Sequence, residues 1–425
     1  MNHDPGMPAL LGARVMRRLD ALARFSSEPD ALTRLYLTPE HEAAAAQAAE
    51  WMREAGMAAG PDAAGNVVGR YEGRAPGAPA LLLGSHIDTV RDAGRYDGNF
   101  GVVAAIEAVA MLSARGERLP FAVEVIAFGD EEGVRFPVTL TGSRAVAGIL
   151  DPASLDAEDG DGINLRDALL RFGCDPSALP GVARRREDVI GYVELHIEQG
   201  PVLEAEDLPV GVVTAINGAS RFSAEVEGVA GHAGTVPMRL RRDAVAAMAE
   251  MVLAVERIAQ GTPDLVATVG WVEASPGAVN VIPARARFTI DMRSPDDGVR
   301  ETATERLRRE VQAVAARRGV RLTLRSRYDA PAVVCAPPLI GALESSVARF
   351  GLRPLRLCSG AGHDGLAIAA LCPVGMLFVR CEGGISHNPA EAITEADADT
   401  AVRVLVDFLQ HLNLAALLAP VTVGA

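Results

Sequence analysis

Phe121-Ala122-Val123-Glu124-Val125-Ile126-Ala127-Phe128-Gly129-Asp130-Glu131-Glu132-Gly133 is a largely apolar run that stops at two adjacent carboxylates. Residues 121–128 read as a buried strand. Burying Glu131 and Glu132 at its end costs free energy unless a positive charge faces them. A metal ion is the obvious source of that charge. Four further segments carry the other parts of a metal site: Gly84-Ser85-His86-Ile87-Asp88, Tyr96-Asp97-Gly98-Asn99, Glu194-Leu195-His196-Ile197-Glu198 and Ser386-His387-Asn388-Pro389. Each sets a His or an Asp beside a strand-like run or a tight turn. An isolated Glu pair reads as a solvated loop; the five segments together read as a metal site.

Residues 80–83 form another buried strand, ending at His86, and residues 189–196 a third, ending at His196. Residues 99–114, small or aliphatic on most faces, predict a helix between the first two strands. Residues 7–60 read as helical, over 7–24 and again over 39–55, where Thr38-Pro39 is the entry. Residues 65–69 look like a short strand and turn. Apolar strands alternating with helices predict an α/β fold with a mostly parallel sheet covered on both sides. Ligands of such sheets collect beyond the carboxyl ends of the strands, which is where His86, Glu131, Glu132 and His196 fall.

After about Gly211 the pattern changes. Strands are expected over 220–228, 265–272, 285–293 and 320–328, with amphipathic helices over 242–259 and 298–318. Four strands and two helices in this order predict an α+β sandwich, both helices on one face of an antiparallel sheet. Residues 331–338 read as a linker. Then a helix to Arg349, a strand over 375–380 and a helix over about 394–412, capped by Thr394, resume the first pattern. The smaller domain, 215–331, is therefore inserted into a larger one made of 1–214 and 332–425.

The composition excludes several chemistries. All 41 basic residues are arginine, so Schiff-base, pyridoxal-phosphate and P-loop chemistry and a metal-bridging carbamylated lysine are ruled out. Net charge is −14, and the short arginine clusters at 184–186 and 239–242 abut acidic residues, which argues against nucleic acid as a partner. At 425 residues, 49% apolar and 23% charged, the chain is long enough for two well-cored domains. Cys174, Cys335, Cys358, Cys372 and Cys381 lack C-x-x-C spacing and read as reduced thiols of a cytoplasmic protein. Residues 1–11 show no leader pattern, and no apolar run is long enough to cross a membrane.

The donors have distinct uses. His86-x-Asp88 suits an imidazole ligand whose second nitrogen is held by the Asp88 carboxylate. Asp97, on a turn before a helix, can bridge two ions with its two oxygens. One of Glu131 and Glu132 can ligate while the other stays free as a base; His196 and His387 supply nitrogens. Three His with carboxylates and no thiolate suit Zn²⁺, Mn²⁺, Co²⁺ or Ni²⁺. Two ions sharing a carboxylate hold a hydroxide nucleophile and polarise a carbonyl.

On these motifs the chain resembles the dinuclear-metal M20 peptidase-like family over about residues 10–415. It is most similar to the branch of allantoate amidohydrolases, N-carbamoyl-L-amino-acid hydrolases and ureidopropionases. The resemblance implies a metal-bearing α/β catalytic domain with an inserted lid that also dimerises. It implies two divalent ions held by His86, Asp97 (bridging), Glu132, His196 and His387, with Glu131 as general base. Peptidase members usually have Asp at the position of His196, so this residue points to the carbamoyl branch. The resemblance also assigns His232, in Gly231-His232-Ala233-Gly234, to oxyanion stabilisation in the partner subunit of a homodimer. Asn280 and Arg293 become clamps on a substrate carboxylate, a task suited to the arginine fork. Gln199 is expected at the ureido group, and the loop 359–364, with Gly362 and His363, at the pocket wall. The segments 128–137, 142–144 and 211–218 are most like allantoate amidohydrolases, so allantoate is the expected substrate, with ureidoglycine, ammonia and carbon dioxide as products. N-carbamoyl-L-amino acids come second. A non-catalytic metal-dependent binding protein and a Cys358-based hydrolase are the alternatives from other classes.

Overall fold

The computed structural model describes residues 8–418. Met7, the expected start of the first helix, and most of the stretch read as leader-free lie outside the described residues. The chain divides into two compact units: Met1–Thr214 with Cys335–Leu357 and Ala361–Ala425, and Ala215–Val334 with Cys358–Gly360.

The larger unit begins with α1 (Pro8–Leu22), α2 (Pro39–Glu54), β1 (Ala58–Pro61), β2 (Val67–Tyr71), β3 (Ala80–His86) and α3 (Asn99–Ala114). It continues with β4 (Ala122–Phe128), α4 (Thr141–Ala147), α5 (Leu165–Arg171), β5 (Val189–Ile197), α6 (Val202–Ala205) and β6 (Val210–Ile216). The smaller unit adds β7 (Gly218–Glu227), β8 (Gly231–His232), α7 (Ala244–Gln260), β9 (Val266–Thr268), β10 (Val272–Ser275) and β11 (Val281–Ile282). There follow β12 (Arg285–Ser294), α8 (Asp297–Arg318), β13 (Arg321–Ala330) and β14 (Val333–Val334). The chain returns through α9 (Pro337–Arg349), β15 (Arg356–Ser359), α10 (Gly365–Ile368), β16 (Val374–Val379), α11 (Glu395–His411) and α12 (Leu414–Leu418).

The large sheet has the order β1-β2-β4-β3-β5-β16-β6-β14, with β15 on β6. β4, β3, β5 and β16 run parallel. They are apolar along almost their whole length because both faces are covered, and every residue of β3, β4, β5 and β16 is buried. Helix α3 packs on β3 and β5 and is itself covered by α1 and α11, so it is apolar on nearly every side. Thr38 and Thr394 cap α2 and α11 as the sequence predicts, accepting from the His41 and Asp397 N–H groups. The helical reading of 7–60 is corrected at its end, where β1 pairs antiparallel with β2.

In the smaller unit α7 and α8 pack on an antiparallel sheet of order β10-β12-β7-β13, with β9 also on β12. The expected strand over 265–272 is two strands, both paired with β12 and broken around Gly270, so the sheet has five strands rather than four. The expected linker 331–338 contains β14 and the first two residues of α9.

His41, in the first turn of α2, is fully buried between Tyr36 and Phe172, with ring centroids 5.5 and 5.3 Å away. Neither ring nitrogen has a hydrogen-bond partner among the described residues. Burial, then Arg34 and Arg135, lower its pKa from 6.5 to about 3. A depressed imidazole pKa stabilises the fold fully above the unfolded value, and that stability drains away as pH falls from 6.5 towards 3. His41→Leu is therefore expected to raise unfolding stability at neutral pH by about 1–3 kcal/mol, the cost of an unsatisfied buried polar group. It should also flatten the acid-side loss, as read from urea unfolding at pH 8 and pH 5.

Candidate metal centre

The parallel register brings the site together. In β3 and β4, His86 pairs with Phe128, which sets the Glu131-Glu132 turn beside His86. In β5 and β16, His196 pairs with Phe378, and the chain beyond β16 carries His387. Asp97 precedes α3, near the positive end of that helix. Gly98 turns the chain at φ 63°; a Cβ there would stand 2.5 Å from the His86 ring, so only glycine fits.

Asp97 is buried and each of its oxygens meets different imidazoles. Oδ1 lies 3.0 Å from His196 Nε2 and 3.5 Å from His86 Nε2. Oδ2 lies 3.1 Å from His387 Nε2, which is also 3.5 Å from a Glu132 oxygen. His86 Nδ1 donates to the Asp88 carbonyl at 3.0 Å and His196 Nδ1 to the Ile197 carbonyl at 2.8 Å. Those bonds commit Nδ1 as the donor, so both Nε2 atoms face a carboxylate. A nitrogen and an anionic oxygen at that distance need a cation between them, a proton or a metal ion. Three donor groups fit one: His86, Asp97 and His196; Asp97, Glu132 and His387; and His86 with Glu131 and Glu132. The residues present thus fit two ions sharing Asp97.

The electrostatics agree. Burial opposes charge on His86, yet Asp97 and Glu131 hold its pKa well above the usual imidazole range. Asp97 is held well below the carboxylate range by the imidazoles of His196, His387 and His86, against the cost of burial. Burial pushes Glu131 well up, and burial together with Asp97 raises Glu132 to about 7.

The role of Asp88 differs from the sequence reading in one respect. The carboxylate does not hold the His86 ring; the main-chain carbonyl of Asp88 does. The carboxylate instead accepts from the N–H groups of Glu131 and Glu132 at 3.1 and 3.3 Å. It therefore fixes the Glu pair, and residue 88 orients both halves of the site. Gln199 lies against Asp97, its Nε2 donating to Oδ2 and to Ser386 Oγ, both at 3.0 Å. Gly362 comes close to Glu131, and His363 is buried edge-on against His196, with centroids 4.4 Å apart.

In the smaller unit His232 is exposed on a two-stranded ribbon opposite Val281, and the Ala233 N–H donates to the Asn280 carbonyl at 2.9 Å. His232 and Asn280 are thus neighbours. Arg293 lines a cleft of about 660 Å³, and its fork already holds Asp291, at 2.9 and 2.8 Å, while Nη1 donates to the Gly360 carbonyl. Arg221 lines the same cleft and donates to Asp291 at 3.0 Å. The sequence reading missed Arg221 because only the β7–β12 register, Arg221 opposite Asp291, brings it to Arg293. It also missed Arg34, a fully buried guanidinium that donates to the carbonyls of Ile87, between His86 and Asp88, and of Leu22.

Comparison with known proteins follows the same lines. The chain is 42% identical to an N-carbamoyl-L-amino acid amidohydrolase of Geobacillus stearothermophilus, over 93% of this chain and 97% of that protein. It is 39% identical to allantoate deiminase 1 of Glycine max, over 96% and 91% respectively. The crystal structure of an amidase of the hydantoinase/carbamoylase family from Burkholderia multivorans superposes with a TM-score of 0.88 at 34% identity, covering 94% of this chain and 97% of that one. A family model described as peptidase family M20/M25/M40 matches residues 82–411, and the chain belongs to that family.

Proposed function

We propose that this protein is a metal-dependent amidohydrolase that cleaves the ureido group of allantoate, yielding ureidoglycine, ammonia and carbon dioxide. The carrying observation is Asp97, each of whose oxygens is met by its own set of imidazoles with the Glu131-Glu132 pair alongside. His86, Asp97 and His196 would hold one divalent cation, and Asp97, Glu132 and His387 the other. The donor set favours Mn²⁺ or Zn²⁺, with Co²⁺ or Ni²⁺ as further fits. When bound, such a pair of cations supplies an activated water and an electrophile for a carbonyl oxygen.

The chain's own residues do the rest. Glu131, whose raised pKa suits it to hold a proton, takes one from the attacking water and delivers it to the departing nitrogen. Gln199 Oε1 is buried with no partner among the described residues, and a ureido N–H would satisfy it. Gly362 and His363 complete the pocket wall. A substrate carboxylate anchored by Arg293, with Arg221, takes the place of Asp291 in the fork, and Asn280 is the second clamp. His232 serves the oxyanion across a homodimer. A homodimer is supported by β10, an edge strand exposed along its length and flanked by the half-exposed Trp271. None of the five cysteines forms a disulfide among the described residues, which suits a reducing cytoplasm. Among the described residues no helix is long and apolar enough to cross a membrane. A second reading, an N-carbamoyl-L-amino-acid hydrolase, is favoured by the Geobacillus relative at 42% identity.

Ammonia release measured over a panel of ureido acids with added Mn²⁺ is expected to give allantoate the highest kcat/KM. Chelation should abolish the activity and thiol alkylation leave it intact. A faster N-carbamoyl-L-amino acid would select the second reading, and insensitivity to chelation would remove both. Glu131→Gln should keep two metals per chain, by elemental analysis, while turnover falls roughly 10²–10⁴-fold. Glu132→Gln should lower metal occupancy. His232→Ala and Glu131→Gln chains should each be inactive alone and regain about a quarter of wild-type activity when mixed and exchanged, since half the dimers then contain one intact site of two. No recovery, with exchange verified by differently tagged chains, confines His232 to its own subunit or removes it from the reaction.

A further inference from the structure

One buried carboxylate near the centre is used by none of the steps above. Glu391 is 4% exposed. Its Oε1 accepts from the main-chain N–H groups of Tyr96 and Asp97, at 2.9 and 3.1 Å. Its Oε2 accepts from Ser386 Oγ at 2.9 Å. Ser386 Oγ in turn accepts from Gln199 Nε2, which also donates to Asp97 Oδ2. The bonds close a ring through residues 96–97, 199, 386 and 391, three stretches far apart in the chain. Gly94 makes room for it: a Cβ there would lie 2.3 Å from the Glu391 carboxyl group. His387, next to Ser386, is exposed and held at φ 54°, a left-handed backbone that a non-glycine residue keeps only when its surroundings impose it.

We propose that Glu391 is a positioning residue for one metal site of the pair, fixing the spacing between Asp97 and His387 through their neighbouring main-chain and Ser386 groups. The inference rests on the two-metal reading above and goes beyond it by making the two sites unequal. His86 and His196 stand at the ends of buried strands, so the His86–Asp97–His196 site keeps rigid imidazoles whatever happens at residue 391. His387 has no strand behind it and depends on the loop that Glu391 and Ser386 tie down. Loosening that tie should cost affinity at the Asp97–Glu132–His387 site alone. Hydrogen-bonded partners of metal ligands are typically worth about 10–100-fold in metal affinity.

The test is calorimetric titration of Mn²⁺ into the chelator-stripped full-length chain. Wild type is expected to show two binding steps. In Glu391→Ala the weaker step should drop by about 10–100-fold while the tighter step stays within about twofold. Glu391→Gln, which keeps the length and one acceptor oxygen, should restore most of the loss. Ser386→Ala, which leaves the buried carboxylate in place, should weaken the same step to a smaller extent and covers the case in which Glu391→Ala does not fold. Equal weakening of both steps in Glu391→Ala, or a second step unchanged in every variant that folds, overturns the proposal. A wild-type chain that binds no metal overturns the two-metal reading and this inference with it, whereas two wild-type steps untouched by the variants overturn this inference alone.

Discussion

Burial of a single negative charge, that of Asp97, is the constraint on which the larger unit turns. At 4% exposure a carboxylate has lost almost all its water, and only opposite charge or strong donors can replace what the water gave. Three imidazoles, the amide of Gln199 and the N-terminal end of α3 are brought to it, five groups from four stretches of chain. Strand β3 ends at His86 and β5 one residue past His196. The glycine at 98 exists because the His86 ring occupies the space of a side chain. Remove the charge and the placement of β3, β5 and the loop after β16 loses its common purpose.

Around Asp97 the acids outnumber the imidazoles. Asp88, Asp130, Glu131, Glu194 and Asp364 are pushed up by burial, and Glu132 with them. A carboxyl group raised by burial gives up its proton more readily when a multiply charged cation is bound beside it. Binding a cation there releases protons, so affinity rises with pH. Geometry distinguishes Glu131 from Glu132. Both N–H groups are fixed by Asp88, but only Glu132 is near His387.

Much of this was legible in the chain itself. The apolar runs end at His86, Glu131 and His196 because a doubly covered sheet leaves its strands few polar residues until the rim. Helix α3 was readable to the residue because Gly98 and Arg115 bound a run whose polar members are Asn99 and Ser113 at its ends and Glu107 between them. What stayed hidden depends on register or on the main chain. The Asp88 spacing suggested a carboxylate on His86, but a two-residue interval also lets the carbonyl reach the ring, and it does. The Arg293 fork was read as open to a ligand, yet Asp291, two residues back on the same face of β12, occupies it. Arg221 and Glu391 came into view only through pairing and loop geometry. The break near Gly270 was invisible because both halves alternate and both pair with β12.

The chain enters and leaves the smaller unit on neighbouring rungs of one ladder. Ala215 and Ile216 pair with Val334 and Val333, and the Cys335 N–H donates to the Thr214 carbonyl at 2.9 Å. Roughly 115 residues therefore hang from two points a strand spacing apart, about 5 Å. A tight hairpin of about two residues could join those points and leave the large sheet's own pairing intact. Topologically the insertion is a cassette, one that a single recombination event can add or delete without rerouting any strand of its host.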